Sequence, residues 1–289
     1  MATPATNLFT RHERLFETNR FVYPVLSRRA GGISVGVNLN PDKVCNFDCI
    51  YCQVDRVRQS ETRFVQTGAL LEELDRTLSL VNSGDIYRTE KFRDTPAAMR
   101  RLCDVAFSGD GEPTTYKNFD RLMADCAEVK RRHGLPGVKM VLITNASMLH
   151  REHVRRGLEI LDANAGEIWA KLEAGTQEYY QTVERTPIPL RRVLENITAA
   201  ARVRPLVIQA LFMRIHGEPP PIQEQRAFCD RLVEIVAAGG RLKLVQIYTV
   251  ARPPAESFVA PLTSAEVDAL ADLVRRRTGL EVAGFHGVG

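Results

Sequence analysis

The sequence predicts an α/β fold, an open or partial barrel of parallel strands. Short segments that are apolar at most positions recur along the chain, at 33–39, 103–107, 138–143, 167–172, 206–215 and 242–250. Patterns of helical period separate them. Strands apolar on most positions, alternating with amphipathic helices, imply parallel pairing with both sheet faces covered. Such units joined by right-handed crossovers curl into an open or partial barrel, with its active site at the C-terminal strand ends.

Residues 1–30 contain Pro4 and Pro24, enter the run Ser27-Arg-Arg-Ala-Gly-Gly32, and read as an extended or loosely helical segment. Ile33 to Leu39 alternates with period two and is the first strand. Asn40-Pro41-Asp42 ends it and opens a loop holding Cys45, Cys49 and Cys52. Leu70, Leu71, Leu74, Leu78 and Val81 recur at helical spacing and stop at Asn82-Ser83-Gly84. Cys103 to Phe107 is the second strand and runs into Ser108-Gly-Asp-Gly-Glu-Pro-Thr114. Asn118 is read as the cap of a helix whose apolar face is Phe119, Leu122, Met123, Cys126 and Val129.

The unit then repeats. Val138 to Ile143 is a strand with a helix from about Leu149 to Leu161, and Glu167 to Leu172 a strand with helical stretches at Gln177–Val183 and Leu190–Val203. Leu206 to Ile215 is read as one fifth strand, backed by a helix from Ile222 to Ala238, and Leu242 to Val250 as the sixth. Thr263 with Glu266 three residues on is a capping box, and Gly279 stops the helix it opens. A single domain over residues 1–289 is expected, with its core at about 31–252 and a C-terminal helix and tail at 253–289.

Composition narrows the class. With 44% hydrophobic and 26% charged residues, the chain resembles an ordinary globular protein with a large core. No apolar run approaches the ~18–20 residues that span a bilayer, and the first fourteen residues form no signal-peptide core, so a cytoplasmic protein without membrane attachment is expected. The +4 charge is a mild excess of 39 basic over 35 acidic residues. The runs Lys130-Arg131-Arg132, Arg155-Arg156, Arg191-Arg192 and Arg275-Arg276-Arg277 read as solvated helix surface. A nucleic-acid partner is permitted by this charge and not required.

Three of the six cysteines fall within eight residues, and the others, Cys103, Cys126 and Cys229, are scattered. This spacing argues against a disulfide framework. Three thiolates at C-x3-C-x2-C reach three corners of a compact iron–sulfur cluster from one loop and leave the fourth iron open to a cofactor. A zinc site would want a fourth cysteine or histidine nearby, and the nearest following histidine is His133. Gly109 and Gly111 let backbone approach a ligand closely, and Glu112 can accept from an ammonium. Thr144 and Asn145, and Lys171 and Glu173 on one face by period two, end the next two strands, where polar groups reach a barrel mouth. Lys171 and Glu173 either meet a ligand or pair with each other. Gln209, Arg214, His216, Gln246, Tyr248 and Arg252 are polar residues in or beside apolar strands, suited equally to a substrate or to a satisfied buried hydrogen bond. Cys126 and Cys229 lie on apolar helix faces and read as small hydrophobes.

Cys45-x3-Cys49-x2-Cys52 with the aromatic Tyr51 resembles the signature of the radical S-adenosylmethionine (radical SAM) enzymes. Ser108-Gly-Asp-Gly-Glu-Pro-Thr114 resembles the family's Gly-Gly-Glu segment, here with Asp110 between the glycines. The resemblance covers roughly Ile33 to Val250. It implies a partial (β/α)6, TIM-like barrel with short terminal extensions, a [4Fe–4S] cluster on Cys45, Cys49 and Cys52, and SAM. It places Gly109, Asp110, Gly111 and Glu112 at the methionyl amino group and Tyr51 against the adenine, with Thr144, Asn145, Lys171 and Glu173 as further cofactor contacts. Val37-Asn-Leu-Asn-Pro-Asp-Lys-Val-Cys45 and Tyr248-Thr-Val-Ala-Arg-Pro-Pro254 look most like the branch with wyosine-type tRNA base synthases and many relatives of undefined substrate.

That resemblance implies an oxidoreductase or lyase-type enzyme in which the reduced cluster cleaves SAM to a 5′-deoxyadenosyl radical, which takes hydrogen from a substrate. The expected partners are a one-electron donor of flavodoxin or ferredoxin type and a small-molecule, nucleoside or tRNA substrate. An activating enzyme that installs a radical on a partner protein, and a non-catalytic iron–sulfur sensor, are the alternatives.

Overall fold

The computed structural model describes residues 16–55 and 60–287. The start of the expected N-terminal extension, residues 1–15, and the last two residues of the tail lie outside them. Two compact units emerge. The first takes the described residues up to Cys45, those from 60 to Ile143, and Arg151–Glu167; the second takes Asn46–Asp55, Thr144–His150 and the chain from Ile168 onward.

In the first unit, β1 (Val22–Ser27), β2 (Gly32–Val37), β3 (Leu102–Phe107) and β4 (Lys139–Thr144) lie side by side in that order. β1 runs antiparallel to β2, and the other pairs are parallel. The helices α1 (Thr67–Ser83), α2 (Phe119–Arg132) and α3 (Glu152–Asp162) alternate with the strands. Of the two forms expected for this segment, extended or loosely helical, β1 takes the extended one and joins the sheet. Its place depends on Gly36, where any Cβ would overlap the Tyr23 ring of β1. Tyr23 lies across that gap, its hydroxyl 3.1 Å from Ser108 Oγ. β2 is buried at every position, as strands with both sheet faces covered should be.

Two corrections concern polar residues. Asn118 precedes α2 but makes no side-chain cap bond. Lys130, taken with Arg131 and Arg132 as solvated surface, is 2% exposed. Its ammonium donates to the carbonyls of Val138 at 2.7 Å and Asn164 at 2.8 Å, so it ties the segments that lead into β4 and out of α3 to α2. Arg131 and Arg132 are exposed as expected. Cys126 is buried in its apolar face.

The second unit holds β5 (Gly166–Lys171, from Ile168 on), β6 (Leu206–Leu211), β8 (Leu242–Tyr248) and β10 (Val282–Phe285), all parallel in that order. α4 (Gln177–Glu184), α5 (Leu190–Val203), α6 (Ile222–Ala237) and α7 (Ser264–Thr278) connect them. The expected fifth strand is broken. β6 ends at Leu211, the Phe212 amide goes to the Tyr248 carbonyl, and β7 (Met213–Ile215) pairs antiparallel with β9 (Val259–Pro261) in a separate ribbon. The Thr263–Glu266 capping box is present, and Gly279 ends α7 in the left-handed conformation, as the sequence signals.

A buried carboxylate fixes β1. Glu73 of α1, 5% exposed, accepts from the backbone amides of Arg20, Phe21 and Val22 at 2.8–3.0 Å. Replacing Glu73 with Ala strands three donors, and we expect a loss of about 2–4 kcal/mol in urea unfolding. Asp104 of β3 is 3% exposed and accepts from the Ser34 hydroxyl. Burial pushes its carboxyl up to about 6, against the pull of Ser34 and Lys139. A raised folded-state value makes its stabilising contribution full below pH ~3.8 and lost as pH rises through ~6. Asp104→Asn keeps an acceptor for Ser34, so the variant should gain up to about 3 kcal/mol at pH 7 and lose the slope between pH 4 and 6 in unfolding titrations.

Candidate functional site

The cysteine loop begins in the first unit, which holds Cys45, and continues in the second, which holds Cys49 and Cys52. In the first unit the loop after β3 is locked to the segment after β2. Asn38, 2% exposed, accepts the Asp110 amide at 3.1 Å and donates to the Asp110 carboxylate at 2.6 Å. A Cβ on Gly109 would overlap Asn38, and one on Gly111 would overlap the Val44 carbonyl oxygen beside Cys45. The two glycines were expected to admit a ligand; what fills the space on their Cβ side is the chain's own Asn38, Asn40 and Val44. Glu112, 3% exposed, accepts from the Thr114 amide at 3.1 Å and hydroxyl at 2.5 Å, capping the short 3-10 turn Pro113–Thr115.

In the second unit a polar triangle holds the other side of the loop. Asn145 donates to Asn46 at 2.9 Å, Asn46 donates to the Ser147 hydroxyl at 2.7 Å, and that hydroxyl donates back to Asn145 at 2.6 Å. Asn196 of α5 donates to the carbonyls of Ala146 and Ser147, holding Ala146 at a left-handed φ of 61°. Thr144 accepts the Ala146 amide at 3.0 Å.

Tyr51, Lys171 and Glu173, named separately from the sequence, are brought together. The Lys171 ammonium donates to the Tyr51 hydroxyl at 2.8 Å, lies 4.5 Å from the ring centroid and is 3.4 Å from Glu173. Burial opposes the charge on Lys171, yet Glu173 and its neighbours raise its pKa, so it stays an ammonium. Burial and then the nearby Glu184 lift the Glu173 carboxyl well above the usual range, against the pull of Lys171. One residue was missed. Glu184, at the end of α4 and 2% exposed, accepts from the Cys49 thiol at 2.7 Å and the Tyr51 hydroxyl at 3.3 Å. Its only trace in the sequence is an acidic residue closing the apolar face of Tyr180 and Val183.

Gln209 and Gln246 sit opposite each other in the β6–β8 register, buried, and the Gln209 amide donates to the Gln246 carbonyl oxygen at 2.9 Å. Arg214 reaches the Gly217 carbonyl at 2.5 Å and pairs with Glu266 of the capping box. His216 is exposed and stacks on Phe258, with centroids 4.5 Å apart. Tyr248 packs against the cluster of Ile50, Tyr51, Val183 and Leu211, and the Arg252 carbonyl accepts from Gln53.

The donor chemistry fits an iron–sulfur cluster. Cys45, Cys49 and Cys52 are reduced and half-buried on one short loop. Among the described residues no three His, Cys, Asp or Glu side chains, the three thiols included, are gathered round one point as a bound metal would require. The Cys49 thiol is turned to Glu184 and, through burial and then that carboxylate, holds its proton well above the usual thiol range. Ligation has to remove that proton. Among the described residues no helix is long and apolar enough to cross a membrane.

Comparison with known proteins places the chain. A UPF0026 protein of Helicobacter pylori is 26% identical over 243 residues, 83% of this chain and 68% of that protein. A protein named GTPase Obg from Brachyspira hyodysenteriae is 28% identical over 172 residues, 58% of this chain but 21% of its own length, so the chain spans about a fifth of that relative. Streptococcus suis SuiB bound to S-adenosylmethionine superposes with a TM-score of 0.54 at 14% identity, covering 91% of this chain and 49% of that one. Archaeal TYW1 gives a TM-score of 0.49 at 14% identity, covering 96% and 90%. The SuiB likeness shows the fold, the α/β partial-barrel class expected from the sequence. The Radical SAM superfamily model matches residues 39–218, more than half of the chain. With its α/β fold and its cysteine loop, this chain belongs to the radical SAM superfamily, whose cofactors are a [4Fe–4S] cluster and SAM.

Proposed function

We propose that Cys45, Cys49 and Cys52 hold the cluster and that the enzyme abstracts hydrogen from a small molecule or from a nucleoside, free or in tRNA. Bound together, cluster and SAM supply the hydrogen-abstracting chemistry of the family. The observation that carries the reading is the buried set of Tyr51, Lys171 and Glu173, packed beside Cys49 on the cysteine loop. A buried ammonium held charged is suited to a carboxylate such as the methionyl end of SAM, and Tyr51 offers a flat apolar face to a base.

Gly109, Asp110, Gly111, Glu112, Thr144 and Asn145 complete the cofactor contacts. Gln209, Arg214, His216, Gln246, Tyr248 and Arg252 are the substrate candidates, and Tyr248, packed against Tyr51's own cluster, has the strongest support among them. The enzyme is of oxidoreductase or lyase type, acts as one catalytic domain in the cytoplasm and draws its electron from a flavodoxin or ferredoxin.

After anaerobic reconstitution and reduction, wild type should convert SAM to 5′-deoxyadenosine and methionine, and Cys49→Ala should lose both cluster and turnover. A variant that kept its cluster and cleaved SAM would sink this reading, and a wild-type cluster that never cleaves SAM would favour a sensor. Gly111→Ala should displace the Val44 carbonyl next to Cys45 and lower the iron and sulfide bound per chain. Gly68→Ala, with open space around it, should bind the wild-type amount.

A further inference from the structure

The loop from Asp48 to Tyr51 is fastened to the last turn of α4. A helix leaves its final carbonyls without intrahelical partners, and here the loop supplies them. The Asp48 amide donates to the Glu184 carbonyl at 3.1 Å and the Ile50 amide to the Val183 carbonyl at 2.9 Å. Arg185 makes this possible by leaving the helix at a left-handed φ of 44°. Its guanidinium pairs with Glu256, whose amide donates to the Ile50 carbonyl at 3.3 Å, so the loop is held from both sides. Glu184 adds its side chain to the same clamp, one oxygen on Cys49 Sγ and the other on the Tyr51 hydroxyl.

A carboxylate is costly to bury, and Glu184 is 2% exposed. Its link to a positive charge runs through the Tyr51 hydroxyl, which both Glu184 and the Lys171 ammonium bind. A plain packing role would be met by an apolar side chain of similar volume at less cost. What an apolar residue would not do is fix the direction of two side chains of the cysteine loop.

We propose that Glu184 is a positioning residue for the cysteine loop, aiming Tyr51 through its carboxylate while the adjoining carbonyls fix the loop backbone around Cys49. The inference rests on the reading of Cys49 as a cluster ligand. Ligation takes the Cys49 proton, so the contacts that carry the effect are those needing no thiol hydrogen: the Tyr51 hydroxyl and the amides of Asp48 and Ile50.

The test compares Glu184→Ala, Glu184→Gln, Tyr51→Phe and the Glu184→Gln/Tyr51→Phe double variant after anaerobic reconstitution with iron and sulfide. The readouts are the electron paramagnetic resonance line shape of the reduced cluster and the SAM affinity that titrates its change. Glu184→Ala should bind near wild-type iron, show shifted g values and bind SAM about fivefold more weakly, the size of one hydrogen bond. Glu184→Gln, which keeps one acceptor, should fall between, and the double variant should bind SAM no more weakly than Tyr51→Phe alone. Wild-type line shape and SAM affinity in Glu184→Ala would overturn the proposal. Should that variant not fold, the same result in Glu184→Gln overturns it, as would additive losses in the double variant. Retention of the cluster by Cys49→Ala would instead overturn the ligand assignment on which the inference rests.

Discussion

An ammonium taken out of water must be repaid by partners at hydrogen-bond distance, and Lys171 is the group on which the second unit's polar interior depends. Its Nζ meets the Tyr51 hydroxyl, the Tyr51 ring and Glu173 at once. Truncating one side of such an arrangement leaves an uncompensated buried charge, which is far worse than replacing the whole set by apolar groups. The geometry is therefore held jointly. Rotating Tyr51 would leave Lys171 with Glu173 alone, and Lys171 is in turn fixed by the β5–β6 register that pairs it with Gln209.

The same economy recurs wherever a loop ends inside the protein. Glu73 receives three amides of the segment entering β1, Lys130 donates to loop carbonyls, and Glu112 caps its own turn. Glu224 does so beside the candidate site. Its carboxylate accepts from the Gly175 amide and from the amide and hydroxyl of Thr176, two and three residues after Glu173. Gly175 has no room for a side chain against the backbone of Ala227 and Phe228. Buried charges in this fold thus terminate backbone that has no ladder to join, and they place loop residues as a consequence.

Local signals were legible and tertiary ones were not. The three-cysteine spacing, the Thr263–Glu266 capping box and the left-handed Gly84 and Gly279 each depend on a few consecutive residues, and each stands where the sequence puts it. The break after Leu211 left no mark, because Leu206 to Ile215 is apolar nearly throughout and the division depends on the distant Val259–Pro261. Lys130 looked like its exposed neighbours because burial of one residue in a basic triplet is decided by the carbonyls it meets. Lys171 with Glu173 could be paired from period two, whereas Glu184 could join them only after α4 had been packed. Gln209 and Gln246 were each ambiguous alone, and the register that sets them opposite each other settles their shared bond.

β1 and β10 bear on a different property, the tendency of sheets to recruit foreign strands. A parallel strand such as β2 or β8, left bare at its side, offers a row of amides and carbonyls to any passing chain. β1 covers β2, and β10 covers β8. Among the described residues β1 then becomes the margin itself, and it carries Pro24, which has no amide to offer an incoming strand. On the other side, four residues from Val282 to Phe285 cover β8, so trimming them would turn a paired strand into an adhesive rim while leaving the cysteine loop's own contacts intact.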